Sequence, residues 1–320
     1  MTAPLFLDRI GNTPLVRIDA VWVKLECSNP MGSVKDRIAK FLLAEAMARG
    51  ELKPGDTVVE ATSGNTGIAL AAVARELGCR AIVFMPEHMS VERQRMIKAL
   101  GAEVRLTSRE GSFAGAVAER DRFRGRAGYY VPDQFGNPDN VRCHRTTTGP
   151  EIVRQLREQG AAAPDVFVAG VGTGGTLMGV GLALRDVYPR LRLVAVEPSE
   201  SNVMCGKPAG EHGIQGIGDG FIPDLVDMRL VDAVETMSTE EAHAEARRIH
   251  SEHGYCVGVS SGANMIAALR LAAGGLNVVT VWSDCSDRYE SMGLHAPGSE
   301  ESRCPLHEHC AARMPELGLD

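Results

Sequence analysis

The sequence predicts an α/β fold: two α/β lobes with mostly parallel sheets. Three observations carry that reading. Short β-branched runs alternate with longer stretches of helical periodicity, the alternation occurs twice along the chain, and glycine, serine and threonine crowd the strand-to-helix junctions. In the first set "TVVEA" (57–61), "AIVFM" (81–85), "EVRLT" (103–107) and "GYYVP" (128–132) read as buried strands. Helical patterns lie between them at about 65–77, 90–100 and 111–125, and Gly78 and Gly101 stop the first two. The second set holds "DVFVAG" (165–170), a helix at about 175–188 and "RLVAVEP" (192–198). Helices at about 239–253 and 261–273 lead to "NVVTVW" (277–282), and the chain from about 284 reads as irregular.

A chain of 320 residues, 44% hydrophobic and 23% charged, can bury a substantial core. No apolar run approaches membrane-spanning length. The net charge of −7 and a pI near 5.8 leave no electrostatic footprint for nucleic acid. The start, "MTAPLFLDRIGNTPLV", lacks the charged lead, sustained apolar stretch and cleavage site of a secretory signal. Cys27, Cys79, Cys143, Cys205, Cys256, Cys285, Cys304 and Cys310 are scattered, so reduced thiols in a cytoplasmic protein are expected.

Three junctions carry chemistry. In "AGVGTGGTLMG", Gly170, Gly172 and Gly175 fit a dinucleotide-binding fingerprint, with Glu197 ending the next strand as the acidic partner. A close helix–sheet turn explains the same glycines. So does a cup for one phosphate, in which Gly172, Thr173, Gly174, Gly175 and Thr176 offer amides and two hydroxyls at a helix start. In "EATSGNTGIALA", Thr62, Ser63, Asn65 and Thr66 crowd around Gly64, which suits a carboxylate better than ordinary capping by Ser63 or Asn65. In "VGVSSGAN", Ser260 or Ser261 can cap a helix, or a neutral hydroxyl can bond a pyridine nitrogen without protonating it. A fourth stretch, "NPMGSVKDR", places Lys35 at a helix mouth without the spacing of a phosphate-binding P-loop, which leaves a lysine nucleophile toward a carbonyl cofactor.

Together these stretches resemble the cysteine synthase (O-acetylserine sulfhydrylase) family, the fold type II pyridoxal 5′-phosphate (PLP) enzymes of tryptophan synthase β-like architecture. "IGNTPLV" (10–16), "VKLE" (23–26), "DQFGNPDN" (133–140), "TTTGPEI" (146–152), "IQGIGDGFIP" (214–223) and "SDRYES" (286–291) agree, and the likeness runs from about residue 8 to 294. The resemblance implies that Lys35 forms the Schiff base with PLP and moves the α-proton, and the start of a helix should lower its pKa. It implies that Asn65 meets the PLP ring oxygen and Ser260 the ring nitrogen. Gly172, Thr173, Gly174, Gly175 and Thr176 become the phosphate cup. Thr62, Ser63, Gly64, Asn65, Thr66, Gln134 and Gly216 become substrate contacts.

The implied organisation is a large PLP-binding lobe (1–39 and 144–294), a smaller mobile lobe (40–143) that closes on the substrate, and a Cys/His-containing tail (295–320). The implied activity is β-replacement on an activated serine, first of all O-acetylserine plus sulfide to cysteine and acetate, by a homodimer. The alternatives are a cystathionine β-synthase-like or diaminopropionate-type reaction with another thiol or amine nucleophile, and a silent binding protein on the same scaffold. Lys35 argues against the last.

Three features depart from the family. The turn between "VRI" and "VWVKLE" is short. Asp219 stands where the family commonly has a small or neutral residue, either as an exposed loop residue or as a group that tunes leaving group and nucleophile. The tail holds soft ligands: Cys285, Cys304, His307 and Cys310 are metal candidates, although their spacing matches no standard zinc template, and no metal is expected. His88 and His144 read as ordinary surface or core residues.

Overall fold

The computed structural model describes residues 6–294, apart from 63, 88, 290 and 292. Two sheets organise the described residues. The larger contains β1 (Leu15–Ile18), β2 (Val21–Leu25), β7 (Val166–Gly170), β8 (Arg192–Pro198), β9 (Ala233–Met237) and β10 (Val278–Trp282). Its order is β1-β2-β10-β7-β8-β9, parallel except where β1 pairs antiparallel with β2. The smaller sheet, of order β5-β4-β3-β6, is formed by β3 (Thr57–Ala61), β4 (Arg80–Pro86), β5 (Glu103–Thr107) and β6 (Tyr129–Tyr130), all parallel.

Helices cover both faces of each sheet: α1 (Lys35–Ala48), α2 (Asn65–Glu76), α3 (Val91–Ala99) and α4 (Ser112–Asp121) around the smaller, α5 (Asp139–Thr146), α6 (Thr148–Glu158), α7 (Gly175–Val187), α8 (Thr239–His253) and α9 (Val259–Ala273) around the larger. Strands buried on both faces must be apolar throughout, and β7 shows why: Val166 and Val168 enter the core under α8 and α9, while Phe167 and Ala169 enter the one under α6 and α7. Burying one such Val or Phe contributes roughly 1.5–3 kcal/mol. In the smaller sheet Val58 and Val83 pack toward α1 and α2, and Val59 and Ile82 toward α4.

"TVVEA", "EVRLT" and "RLVAVEP" form the strands expected of them, whereas "GYYVP" keeps only Tyr129–Tyr130, because the pair lies at a sheet edge with Tyr129 exposed. β1, β2, β9, α5 and α6 are additional elements. At the C-terminal ends of β2 and β10 three loops are stitched together. Val34 N donates to Ser283 O at 2.8 Å, Cys285 N to Gly32 O at 3.1 Å, and Gly258 N to Asp284 O at 2.9 Å.

Candidate active site

The loops leaving the C-terminal ends of β2, β3, β7 and β10 line one cleft, the usual place for a ligand in a parallel sheet. Lys35, the first residue of α1, lines it. Burial holds Lys35 below the ordinary lysine pKa, against the pull of the Asp219 and Asp284 carboxylates. The direction is the one expected, and desolvation is its main cause. Behind Lys35 the helix is anchored by buried charges. Arg37 meets Glu26 at 2.6 Å and Glu151 at 2.7 Å, and Lys24 meets Glu151 at 2.8 Å. Although burial opposes it, Arg37 holds the Glu151 carboxyl down at about 2.

At the β3–α2 junction the N-cap residue is Gly64, and no side chain among the described residues caps α2, which suits its first amides to a ligand. Thr62 Oγ1 accepts from Gly64 N at 3.0 Å. Thr66 donates to Gln134 Oε1 at 2.6 Å, and Gln134 Nε2 donates to Ala61 O at 3.1 Å, so the two residues brace the junction from β3. The Asn65 carboxamide is held at both ends: its nitrogen donates to Asp284 Oδ2 at 2.7 Å and its oxygen accepts from Arg288 at 2.8 Å. Both partners are buried, and one N–H of Asn65 remains for the cleft. Ser63 and His88 lie outside the described residues.

At the β7–α7 junction the competing readings separate. Glu197 accepts from Met204 N at 2.9 Å and Cys205 N at 3.0 Å, so the carboxylate a dinucleotide ribose would need is already engaged by backbone. The close turn and the phosphate cup are both compatible with the rest of the junction. Gly174, the N-cap residue of α7, has φ +81° and offers no side chain, Gly175 N reaches only Thr173 Oγ1 at 3.4 Å, and Gly172, Thr173, Gly174 and Thr176 line the cleft. A Cβ on Gly172 would stand 2.4 Å from the Gly216 carbonyl oxygen, so glycine there lets the two loops close. The two serines also part: Ser260 lines the cleft, while Ser261 Oγ accepts from Ser283 N at 2.9 Å.

The profile of the pyridoxal-phosphate dependent enzyme family matches residues 6–284, a span that includes every residue of this cleft. This chain is a PLP-dependent enzyme of the cysteine synthase family. A cysteine synthase of Staphylococcus aureus is 43% identical over 298 residues, 90% of this chain and 95% of that protein. The crystal structure of a cysteine synthase from Entamoeba histolytica superposes with a TM-score of 0.84 at 37% identity, covering 97% of this chain and 98% of that one. An O-acetylserine dependent cystathionine β-synthase from Helicobacter pylori superposes at 0.86 and 37% identity, covering 92% and 100%.

The residues of the enzyme fit PLP: a small anion cup at a helix start, a lysine made less basic by burial, and a buried neutral serine in one cleft. Three groups in or behind the cleft have no signal in local sequence. Arg93, from α3, lines it and donates to Gln215, in the very loop that has no cation of its own. Asn140 and His144, from α5, stand behind the cup: Asn140 Nδ2 lies 3.0 Å from Thr173 Oγ1, and His144 Nε2 3.3 Å from Thr176 Oγ1. The stretches "DQFGNPDN" and "TTTGPEI" overlap the two ends of α5, and only as part of the first does Asn140 enter the family likeness. Asp219 also lines the cleft, where burial raises its pKa against the opposing charges of Lys35 and His212. Cys285 is buried with its thiol 3.6 Å from the Cys27 carbonyl. The other metal candidates, Cys304, His307 and Cys310, lie outside the described residues, among which no metal-binding cluster occurs.

Proposed function

We propose that the enzyme catalyses β-replacement on an activated serine, converting O-acetylserine and sulfide to L-cysteine and acetate. The observation that carries this reading is the meeting of Lys35, the uncapped start of α2 and the α7 cup in one cleft. In this reading Thr62, Ser63, Gly64, Asn65, Thr66, Gln134 and Gly216 grip the substrate carboxylate. Gly172, Thr173, Gly174, Gly175 and Thr176 hold the cofactor phosphate, with Asn65 and Ser260 toward its ring. Bound PLP supplies the electron sink for negative charge at the substrate Cα. Lys35 carries the cofactor and moves the Cα proton, which a lysine of lowered pKa can do near neutral pH. Ser260, being neutral, leaves the ring nitrogen unprotonated and so favours elimination and replacement.

Asp219 disfavours a dianionic phosphate leaving group. The Phe221 ring packs 5.3 Å from Phe135, which lines the cleft and offers a neutral ester an apolar neighbour. The body formed by residues 40–143 closes over the substrate, and the enzyme works as a homodimer in the cytoplasm. The cytoplasmic location is supported by six described cysteines, all free thiols. Sedimentation equilibrium checks the dimer.

The direct test is product identification: with O-acetylserine and sulfide, mass spectrometry should find cysteine and acetate. O-acetylserine left intact in the presence of sulfide would overturn the reading. Asp219 favours a second reading, since a carboxylate in the cleft can take a proton from a neutral thiol or amine but repels hydrosulfide. Faster turnover with an amino thiol than with sulfide at equal concentration would establish it.

A further inference from the structure

Helix α5 approaches α7 closely because α7 presents glycine one turn apart. A Cβ on Gly175 would stand 1.9 Å from Asn140 Oδ1, and one on Gly179 would stand 2.4 Å from Val141 O and 2.6 Å from His144 Cβ. Asn140 and His144, four residues apart, share a face of α5. Both are about 1% exposed. Each touches one of the two hydroxyls of the cup.

The direction of the Asn140 bonds can be read from its partners. Asn140 Nδ2 lies 2.8 Å from the Gln134 carbonyl, which can only accept, so the carboxamide nitrogen faces Thr173 as well. Thr173 Oγ1 therefore accepts, and its own hydrogen is free to point elsewhere. His144 Nδ1 lies 2.9 Å from Thr148 Oγ1, and burial keeps the ring neutral, with its pKa pushed down to about 3. A neutral imidazole has one donor and one acceptor. Two tautomers satisfy these contacts, and only the one in which Thr148 donates to Nδ1 and Nε2–H donates to Thr176 leaves the Thr176 hydrogen free for an anion.

We propose that α5 forms the outer layer of the phosphate site: Asn140 and His144 are positioning residues that hold Thr173 and Thr176 as hydrogen-bond donors to the cofactor phosphate, His144 as its Nε2–H tautomer. This rests on the reading that Gly172–Thr176 hold that phosphate. A buried, uncharged second layer lets both hydroxyls turn toward the anion without adding a group that competes for it. It also explains why a histidine in this position is not a titrating group.

The test begins on the wild-type holoenzyme. The ¹⁵N resonances of His144 should show a protonated Nε2 and a bare Nδ1. The reverse pattern would overturn the proposal without any variant. The dissociation constant for PLP and the ³¹P resonance of bound phosphate are then compared across variants. Thr176→Val should weaken PLP binding; if it does not, the cup reading itself fails. His144→Phe should weaken binding roughly tenfold and shift the ³¹P resonance, while His144→Gln, which can keep an N–H near the Nε2 position, should restore most of both. Asn140→Asp, which loses the donor, should also weaken binding roughly tenfold. If Thr176→Val weakens binding but His144→Phe leaves both readouts unchanged, the cup stands and the outer layer does not.

Discussion

Replacing Gly64 by alanine asks how tightly the start of α2 is clamped. Gly64 has φ +152°, and a Cβ there would stand 2.1 Å from Arg93 Cδ and 2.9 Å from its Nε. Non-bonded carbons prefer about 3.5–4.0 Å, so Arg93 would have to retreat by roughly 1.5 Å. It has little room: its side chain is 1% exposed, its guanidinium lies 4.8 Å over the Tyr289 ring, and it donates to Gln215. Backbone strain of about 1–3 kcal/mol and overpacking of about 1–3 kcal/mol together give a loss of roughly 2–6 kcal/mol. For a chain of this size that is a fall in Tm of roughly 3–9 °C. Calorimetry of the holoenzyme measures it, and KM for O-acetylserine should rise because the substrate cradle shifts. Gly55→Ala is the control, with φ +92° but open space around the new methyl, so it should show the backbone part alone. Gly64→Ala combined with Arg93→Ala should be less unstable than the sum of the two single changes. Strict additivity would refute the clash, and wild-type stability in Gly64→Ala would refute the clamp altogether.

Other outcomes follow from the same geometry. Lys35→Ala should leave no cofactor fixed by borohydride and no turnover, as read by peptide mass and activity; fixation at another lysine would contradict the assignment. O-acetylserine should be processed at least tenfold more efficiently than O-phosphoserine, on the order of 1 kcal/mol or more of charge repulsion, with Arg93 offsetting part of the Asp219 effect. Asp219→Ala should narrow that ratio, and a wild-type preference for O-phosphoserine would show that Asp219 does not face the leaving group. Stability should decline in acid in two windows. His144 takes up its proton in the unfolded chain near pH 6.5 but in the folded chain only near 3, and Glu151 near 4.5 and about 2 respectively, so both contributions are lost as pH falls. Urea midpoints should drop between pH 7.5 and 5.5 and again below 4.5, with the first drop reduced in His144→Gln; an unchanged first drop would exclude His144 as its source.

The parts of the fold that were legible in the sequence are those whose burial is apolar on both faces. "TVVEA" and "RLVAVEP" are continuous β-branched runs because helices cover both sides, and such runs stand out. α5 gave no such signal, for a physical reason. The face it buries carries Asn140 and His144, polar groups turned to the cup, and only Cys143 packs against the apolar Ile38 and Leu42 of α1, so the apolar period of a core helix is missing. β2 was obscured in a related way, since Lys24 is buried in the middle of it and paired with Glu151 across more than a hundred residues. Loops were legible as chemistry because their glycines and hydroxyls are local. Arg93 was not, since only the packing of α3 against the far end of the chain brings it to the cleft.

The strand order of the larger sheet has a consequence for synthesis. β10 is the last strand in sequence, yet it lies between β2 and β7, so both wait for it with an unpaired edge. Loops on either side of the cleft, at Gly32 and Gly258, likewise take their partners from residues 284–285. On a ribosome the smaller sheet, complete by Tyr130, can form while the larger is still being translated. A nascent chain stopped near residue 275 would have the lysine, the cradle and the cup in its sequence but no sheet to bring them together. It would also expose two apolar strand edges to other chains. Chaperone contact should therefore concentrate in the interval between emergence of β7 and emergence of β10, and premature termination there should yield aggregate, not a weakened enzyme.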